Sequence, residues 1–409
     1  MLLRFGFSNF KSIKDYQEIS FIASSLSDDC ADLISSEHIK EQVLPAIAIY
    51  GGNATGKSNA LKALEFICEQ VLYSHTSGNA SGGVARDYFL MDKTAQDDPS
   101  LFDCDFILNS IHYHYGFSIN NEQVVEEWLY AYPKKHRQIW FHRNINEKKP
   151  FHFGKNLKGK NSIIESLTRN NSLFISSAAQ NNHEMLTPVY DFFKKGIKFY
   201  FNKEEIFAHS LEPYLDNDVS RNWLIKFLSS ADIGIMDVFI EIGDIFITEA
   251  AYAKAVKSIR IAHTCADGST VKLKLNQESK GTIKLIDILG PIYNTLKYGT
   301  LLVIDEMDTS LHPLLSRKLI QLFQSEKTNP NAAQLLFSTH DTNLLSGNFI
   351  RRDQIWFTEK NGCGATNIYP LSDISTRKGD NIENGYLQGR YGAIPFLGNI
   401  DSLFEKTGS

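Results

Sequence analysis

The chain has 409 residues, room for two or three domains, and its 43% hydrophobic and 22% charged content excludes a disordered or fibrous protein. A net charge of −5 leaves no global positive field to attract nucleic acid, and no apolar run is long enough to span a bilayer. The start, "MLLRFGFSNFKSI", lacks the continuous apolar core of a secretory signal. Five cysteines (Cys30, Cys68, Cys104, Cys265 and Cys363) are scattered and never spaced as CxxC, which argues against a disulfide framework or a zinc site. The expected setting is a reducing cytoplasm, with no membrane as partner.

In chain order, residues 1–70 read strand, strand, strand, turn, helix. "LLRFGFSNF" alternates as a half-buried strand does, and "YQEISFIA" predicts a second strand. "LPAIAIYGG" is a short apolar run ended by glycines, the pattern of a strand buried on both faces. The helix after Ser58 places Ala60, Leu61, Leu64 and Ile67 on one face.

Residues 71–256 open on the Gly/Ser-rich loop "SHTSGNASGGVARD". Strand-like runs follow, "LFDCDFIL", "IHYHYGFSI", "EWLYAYP" and "QIWFHR", then a helical "SRNWLIKFLSSADIGI" and a return to strand at "DVFIEIGDIFITEA". In residues 257–409 the apolar strands "TLLVIDE" and "AQLLFSTHD" are each followed by a helical pattern, the βα rhythm of a parallel sheet. The expectation is an α/β fold in which 1–70 and 257–409 form the two lobes of one nucleotide-binding fold, interrupted by a mixed α+β insertion.

The stretch "GGNATGKS" fits GxxxxGK[ST] with Gly51, Gly56, Lys57 and Ser58. Glycines let the backbone curl until its N–H groups converge on phosphate oxygens at a helix N-terminus. Lys57 would reach the β- and γ-phosphates of a nucleotide, and the Ser58 hydroxyl would ligate magnesium. In "TLLVIDEMDTSLHP", four apolar residues carry Asp305 to a strand end, where its carboxylate can hold the magnesium shell. The adjacent Glu306 can orient or deprotonate the attacking water. His340, after the next apolar strand, could donate to the γ-phosphate.

The order of these three motifs resembles the ABC-class ATPases, above all the heads of SMC, RecF and OLD proteins. "FSNFKSI" is similar to the first strand of those heads, and "GGNATGKSN" shares their Asn53 and Asn59. "DEMDTSLHP" resembles their Walker B and D-loop run, with Asp308 as the D-loop residue. "QESKGTIKLIDILGPI" stands where the signature loop belongs, with Ser279, Gly281 and Thr282 opening an apolar helix; it departs from LSGGQ and resembles the RecF- and OLD-like form.

The resemblance implies an ABC-type P-loop ATPase head. ATP and Mg2+ would be held by Gly51, Gly52, Asn53, Ala54, Thr55, Gly56, Lys57, Ser58 and Asn59. Ser58 and Asp305 would ligate the metal, with Glu306 and His340 catalytic. Ser279, Gly281 and Asp308 would complete the site of a second copy in a head dimer or higher oligomer.

"TRNNSLFISSAAQNN", "SADIGIMDVFIEI" and "RKGDNIENGYLQGRYGAIPFLGNI" extend the likeness to the stand-alone AAA-type ATPases of abortive-infection and restriction-linked operons, the AbiL- and Rlo-like group. That implies slow, regulated hydrolysis controlling a separately encoded nuclease- or toxin-like effector in anti-phage defence. The residues after His340 are too few for a fused TOPRIM nuclease, and Asp380, Glu383 and Asn384 read as loop caps, so the chain is not expected to cut nucleic acid. The alternative is a RecF-like DNA-binding ATPase of repair. Its best basic patch is Lys134, Lys135, His136 and Arg137 with Lys155, Lys158 and Lys160, interleaved by Trp140 and Phe141. A transporter nucleotide-binding subunit fits less well, because the signature lacks LSGGQ and a long block separates the glycine loop from Asp305.

Overall fold

The alternation of the N-terminus becomes β1 (Leu2–Ser8), with β2 (Gln17–Ser20) antiparallel beside it. This is a computed structural model, and it describes all residues except 78, 80–81, 202–213, 216, 232–233, 248–252, 348, 378 and 395–409. The end of the expected strand "DVFIEIGDIFITEA" (248–250) and the tail from 395 onward lie outside the described residues. The chain divides into two compact units, Met1–Lys195 with Phe337–Ser409, and Gly196–Leu336.

In the first unit the apolar run forms β3 (Ala46–Tyr50), buried at every position, and leads through the glycine turn into α1 (Lys57–Tyr73). Ala60, Leu61, Leu64 and Ile67 all face inward, as the 3.6-residue spacing requires. Then come β4 (Ser100–Leu108), β5 (Ile111–Ile119), β6 (Val124–Tyr132), β7 (Gln138–Asn144) and the short β8 (Phe151–Phe153). With β1 and β2 they make a seven-stranded antiparallel sheet in the order β2-β1-β4-β5-β6-β7-β8.

Three helices follow, α2 (Asn161–Leu167), α3 (Phe174–Gln180) and α4 (Thr187–Lys195). Phe106 of β4 stacks on Phe192 of α4 with ring centroids 4.3 Å apart. Glu127, fully buried, accepts the Ile175 N–H at 3.1 Å and the Tyr115 hydroxyl at 3.1 Å. The burial that raises its pKa is opposed by Arg143, its register partner on β7.

The second unit begins with β9 (Ile197–Tyr200) and α5 (Asp218–Ser230). β10 (Ile235–Ile247), β11 (Ala253–Thr264) and β12 (Thr270–Lys274) form an antiparallel three-stranded sheet. Next are α6 (Lys280–Tyr298), β13 (Leu301–Ile304), α7 (Pro313–Gln324) and β14 (Gln334–Ser338), within which the division between the units falls. β13 lies parallel to β9 and has β14 as its other neighbour.

Back in the first unit, β15 (Ile355–Lys360) runs parallel to β3 and antiparallel to β16 (Thr366–Pro370), and α8 (Ile382–Leu387) follows. The fold is mixed α/β, with parallel strands flanked by helices. One expected helix is much shorter than its pattern suggests. After "AQLLFSTHD" the chain makes a single 3-10 turn, Thr342–Leu345, and Gly347 at φ +66° then turns it away. Among the described residues no helix is long and apolar enough to cross a membrane.

Candidate functional site

Within the first unit, the turn between β3 and α1 is a tight backbone loop. Gly51 and Gly56 adopt φ +159° and +114°, and a Cβ at Gly51 or Gly56 would run into the Thr358 or Thr366 hydroxyl. Ala54 at φ +61° and Asn53 are exposed at its tip. Lys57 is only 7% exposed, and its ammonium donates to the Gly51 and Gly52 carbonyls at 2.9 and 3.0 Å. Ser58 and Asn59 are half-buried on the first turn of α1. Asn59 donates to the Ser12 hydroxyl at 2.8 Å, so its amide is bonded to the "NFKS" turn.

Backbone hydrogen bonds bring His340 to the same end of this unit. Thr339 N–H donates to Ile49 O at 3.1 Å, and the Tyr50 hydroxyl donates to Asp341 O at 3.1 Å. The exposed His340 is thus held between two residues anchored on the end of β3 that enters the glycine loop. Asp341 was not among the expected residues. Its Oδ1 accepts from Asn343 N–H at 3.0 Å, while its buried Oδ2 has no hydrogen-bond partner among the described residues. A buried carboxylate oxygen without a donor suits a site that receives a protic group or a cation.

Within the second unit, the loop after β13 and the start of α6 come together. Ser279 caps α6, its hydroxyl accepting from Thr282 N–H at 3.1 Å. A Cβ on Gly281 would stand 2.9 Å from Ser310 O, so only glycine lets the helix start approach the loop after β13 this closely. Asp305 N–H donates to Tyr200 O at 3.2 Å, continuing the β13–β9 ladder by one residue. Met307 and Leu311 are buried and pin the loop. Just before Met307, Glu306 is exposed and held at φ +52°, with Thr309 Oγ1 donating to its Oε2 at 3.3 Å. Asp308 O accepts from Leu311 N–H at 3.0 Å.

Lys284, one turn into α6, is the residue that motif reading passed over. Its ammonium lies 4.6 Å from the centre of the Tyr200 ring. Burial lowers its pKa, and the charges of Asp287, Glu306 and Asp308 act in the opposite direction. Tyr200 in turn hydrogen-bonds Asp287. The signal was available in sequence as a lysine five residues after Ser279, on the helix that the signature loop opens.

The basic patch separates into two parts. Lys134, Lys135, His136 and Arg137 are exposed, but Trp140 and Phe141 are 7% and 0% exposed. Strand alternation in β7 does not expose them: Trp140 packs on Tyr113 and Phe141 on Phe174. The interleaved aromatics are core residues rather than base-stacking platforms. In the tail, Asp380 accepts from Arg377 N–H and Asn381 caps α8 by accepting from Asn384 N–H, both at 2.8 Å, while Glu383 accepts from the Thr342 hydroxyl at 3.3 Å. Elsewhere Asp103, Asp105 and His114 cluster as metal ligands do, yet the Arg4 guanidinium lies 2.9 and 2.6 Å from the two carboxylates and supplies the positive charge there.

A family profile described as AAA domain, putative AbiEii toxin, Type IV TA system matches residues 46–346, about three quarters of the chain. The chain belongs to this family. Membership carries ATP binding and hydrolysis, with Mg2+, as the general activity of an AAA domain, and it ties the chain to abortive-infection toxin systems. Among solved structures the chain is similar to the SMC head domain from Thermotoga maritima, at 13% identity and a TM-score of 0.42, covering 90% of this chain and 98% of that one. It is also similar to an SmcHead bound to the C-winged helix domain of ScpA, at 11% identity and a TM-score of 0.41, covering 90% of this chain and 97% of that one. No curated protein matches the chain.

Proposed function

We propose that this AAA-family protein is a slow, regulated ATPase that dimerises through its ABC-type heads and controls a separately encoded nuclease- or toxin-like effector in anti-phage defence. The observation that carries the reading is the glycine loop between β3 and α1, with Lys57 folded into it at the N-terminus of a 17-residue helix. Its curled backbone and buried ammonium fit a polyphosphate, and the half-buried Ser58 hydroxyl and the Asp305 carboxylate are the groups that would hold Mg2+. ATP supplies the phosphoryl group that is transferred to water.

The residues divide the remaining work. Backbone N–H groups of Gly51 to Ser58 orient the phosphates, and Lys57 neutralises their charge. Glu306 takes the proton of the attacking water, and the Lys284 charge on α6 attracts the Glu306 and Asp308 carboxylates. His340 donates to the terminal phosphate. Ser279, Gly281 and Asp308 serve the nucleotide held by a second copy, which makes hydrolysis the event that loosens the dimer and signals the effector.

The test is sedimentation of the full chain with ATP and Mg2+, before and after Glu306→Gln. The variant should accumulate as an ATP-dependent dimer. A variant that stays monomeric at saturating ATP refutes the head-dimer mechanism.

A further inference from the structure

Two threonines on the β15–β16 hairpin hold the glycine loop from outside. The Thr366 hydroxyl donates to Thr55 O at 2.7 Å. It lies 2.8 Å from the Ser12 hydroxyl, which in turn accepts from Asn59 Nδ2 at 2.8 Å. Because Thr366 has given its proton to a carbonyl, Ser12 must donate to Thr366, and the direction of the chain is fixed from Asn59 to Ser12, Thr366 and Thr55 O. On the other side, the Thr358 and Thr55 hydroxyls are 2.7 Å apart. Thr55 Oγ1 is also 2.9 Å from Gly52 O, and Thr358 Oγ1 is 3.3 Å from Tyr50 O.

Gly52 O is the carbonyl that Lys57 also reaches at 3.0 Å. A lysine that turns to a phosphate gives up that bond. The Thr55 N–H reaches the same carbonyl only at 3.4 Å, and a carbonyl in this buried position is costly to leave so weakly met. The Thr55 hydroxyl can supply the bond, provided Thr358 donates to Thr55 in its place. The two hydroxyls have two protons for three acceptor positions, so the pair can shift between Tyr50 O and Gly52 O without any heavy atom moving far.

We propose that Thr358 and Thr366 are positioning residues for nucleotide binding: the hairpin fixes the Thr55 peptide and satisfies the Gly52 carbonyl when Lys57 engages phosphate. This role rests on the ATPase reading. By reciprocity, nucleotide that gains affinity through the hairpin must also steady the hairpin.

The experiment measures affinity of the full chain for a non-hydrolysable ATP analogue with Mg2+ in Thr358→Val, Thr366→Val and the corresponding serine variants. Each isosteric valine should weaken binding about tenfold, the size of one hydrogen bond lost at a buried site, and each serine should restore it to within about threefold. In turnover assays the loss should be larger in KM than in kcat. Amide exchange in residues 355–370 should slow when the analogue binds the parent. Ser12→Ala, which removes the relay from its other end, should weaken binding about threefold and covers the case of a misfolded valine variant. Valine variants that bind as the parent does overturn the positioning role, as do serine variants no better than valine. A parent chain that binds no analogue overturns the ATPase reading, and the positioning role with it.

Discussion

The loop after β3 and the loop after β13 both follow short apolar strands, yet they are built differently. The first is held from several directions: Lys57 bonds the Gly51 and Gly52 carbonyls, the Thr55 hydroxyl bonds the second of these as well, and Thr366 fixes the last peptide before Gly56. The second is pinned by Met307 and Leu311 but leaves Glu306 exposed at φ +52°, a backbone region that costs a non-glycine residue about 1–3 kcal/mol. A loop that binds gains from being preformed, because little ordering is left for the ligand to bring about. A loop proposed to carry a reactive carboxylate must instead hold that group out of the core, and this one does so with two left-handed residues, Glu306 and Ser310 at φ +65°.

The contrast is sharpest at Glu306. Glu306→Gln should leave ATP affinity within about threefold and lower kcat by roughly 10²–10⁴, the range of a general base. Turnover near the parental rate would show that the second loop does no proton chemistry. Lys57→Ala attacks the first loop and should weaken ATP binding about 10–100-fold, from loss of charge-assisted hydrogen bonds, as read by titration calorimetry. Parental affinity in that variant would break the comparison from the other side.

The strain itself has a smaller signature. At a left-handed position glycine is favoured over alanine by about 1 kcal/mol, the reverse of an ordinary strand or helix site. Glu306→Gly should therefore unfold at higher denaturant than Glu306→Ala. The opposite order would place Glu306 in an unstrained conformation.

The smallest effect concerns the scaffold of the first unit. His183 is buried, accepts Leu186 N–H at Nδ1 (3.2 Å) and lies 2.8 Å from Asn161 Oδ1 through Nε2, so the neutral ring with its proton on Nε2 satisfies both. Burial lowers its pKa in the fold. The stability it confers is therefore complete above the unfolded pKa of about 6.5 and is lost as pH falls below it. The unfolding midpoint should drop between about pH 7 and pH 5, and His183→Gln should flatten that slope. An unchanged slope would mean that the ring is not held neutral.

Much of the architecture could be read from patterns that local physics enforces. β3, a continuous apolar run, is buried at every position, α1 follows 3.6-fold burial, and the structure places these and the strands from β4 to β7 where "AIAIY", "ALKALEFI" and the aromatic runs require. Composition misled at Trp140 and Phe141, because a basic turn and its neighbouring aromatics look like one surface until strand direction separates them. The helix expected after His340 reduced to one turn because Gly347 intervenes. Thr358 and Thr366 were not legible at all, and Lys284 was legible only as a lysine on the helix that Ser279 opens. Each acts across a long sequence separation, where only the folded chain reveals a shared partner.

The large antiparallel sheet ends in strands too short to recruit another. β2 spans four residues and β8 three, and exposed Lys148, Lys149 and Lys155 flank β8. A neighbouring chain seeking to add a strand would find few free amide groups in a row and a cluster of like charges beside them. Assembly by edge-to-edge strand addition is thus disfavoured on this sheet, and so is the runaway sheet growth that makes long open edges a hazard in a crowded cell.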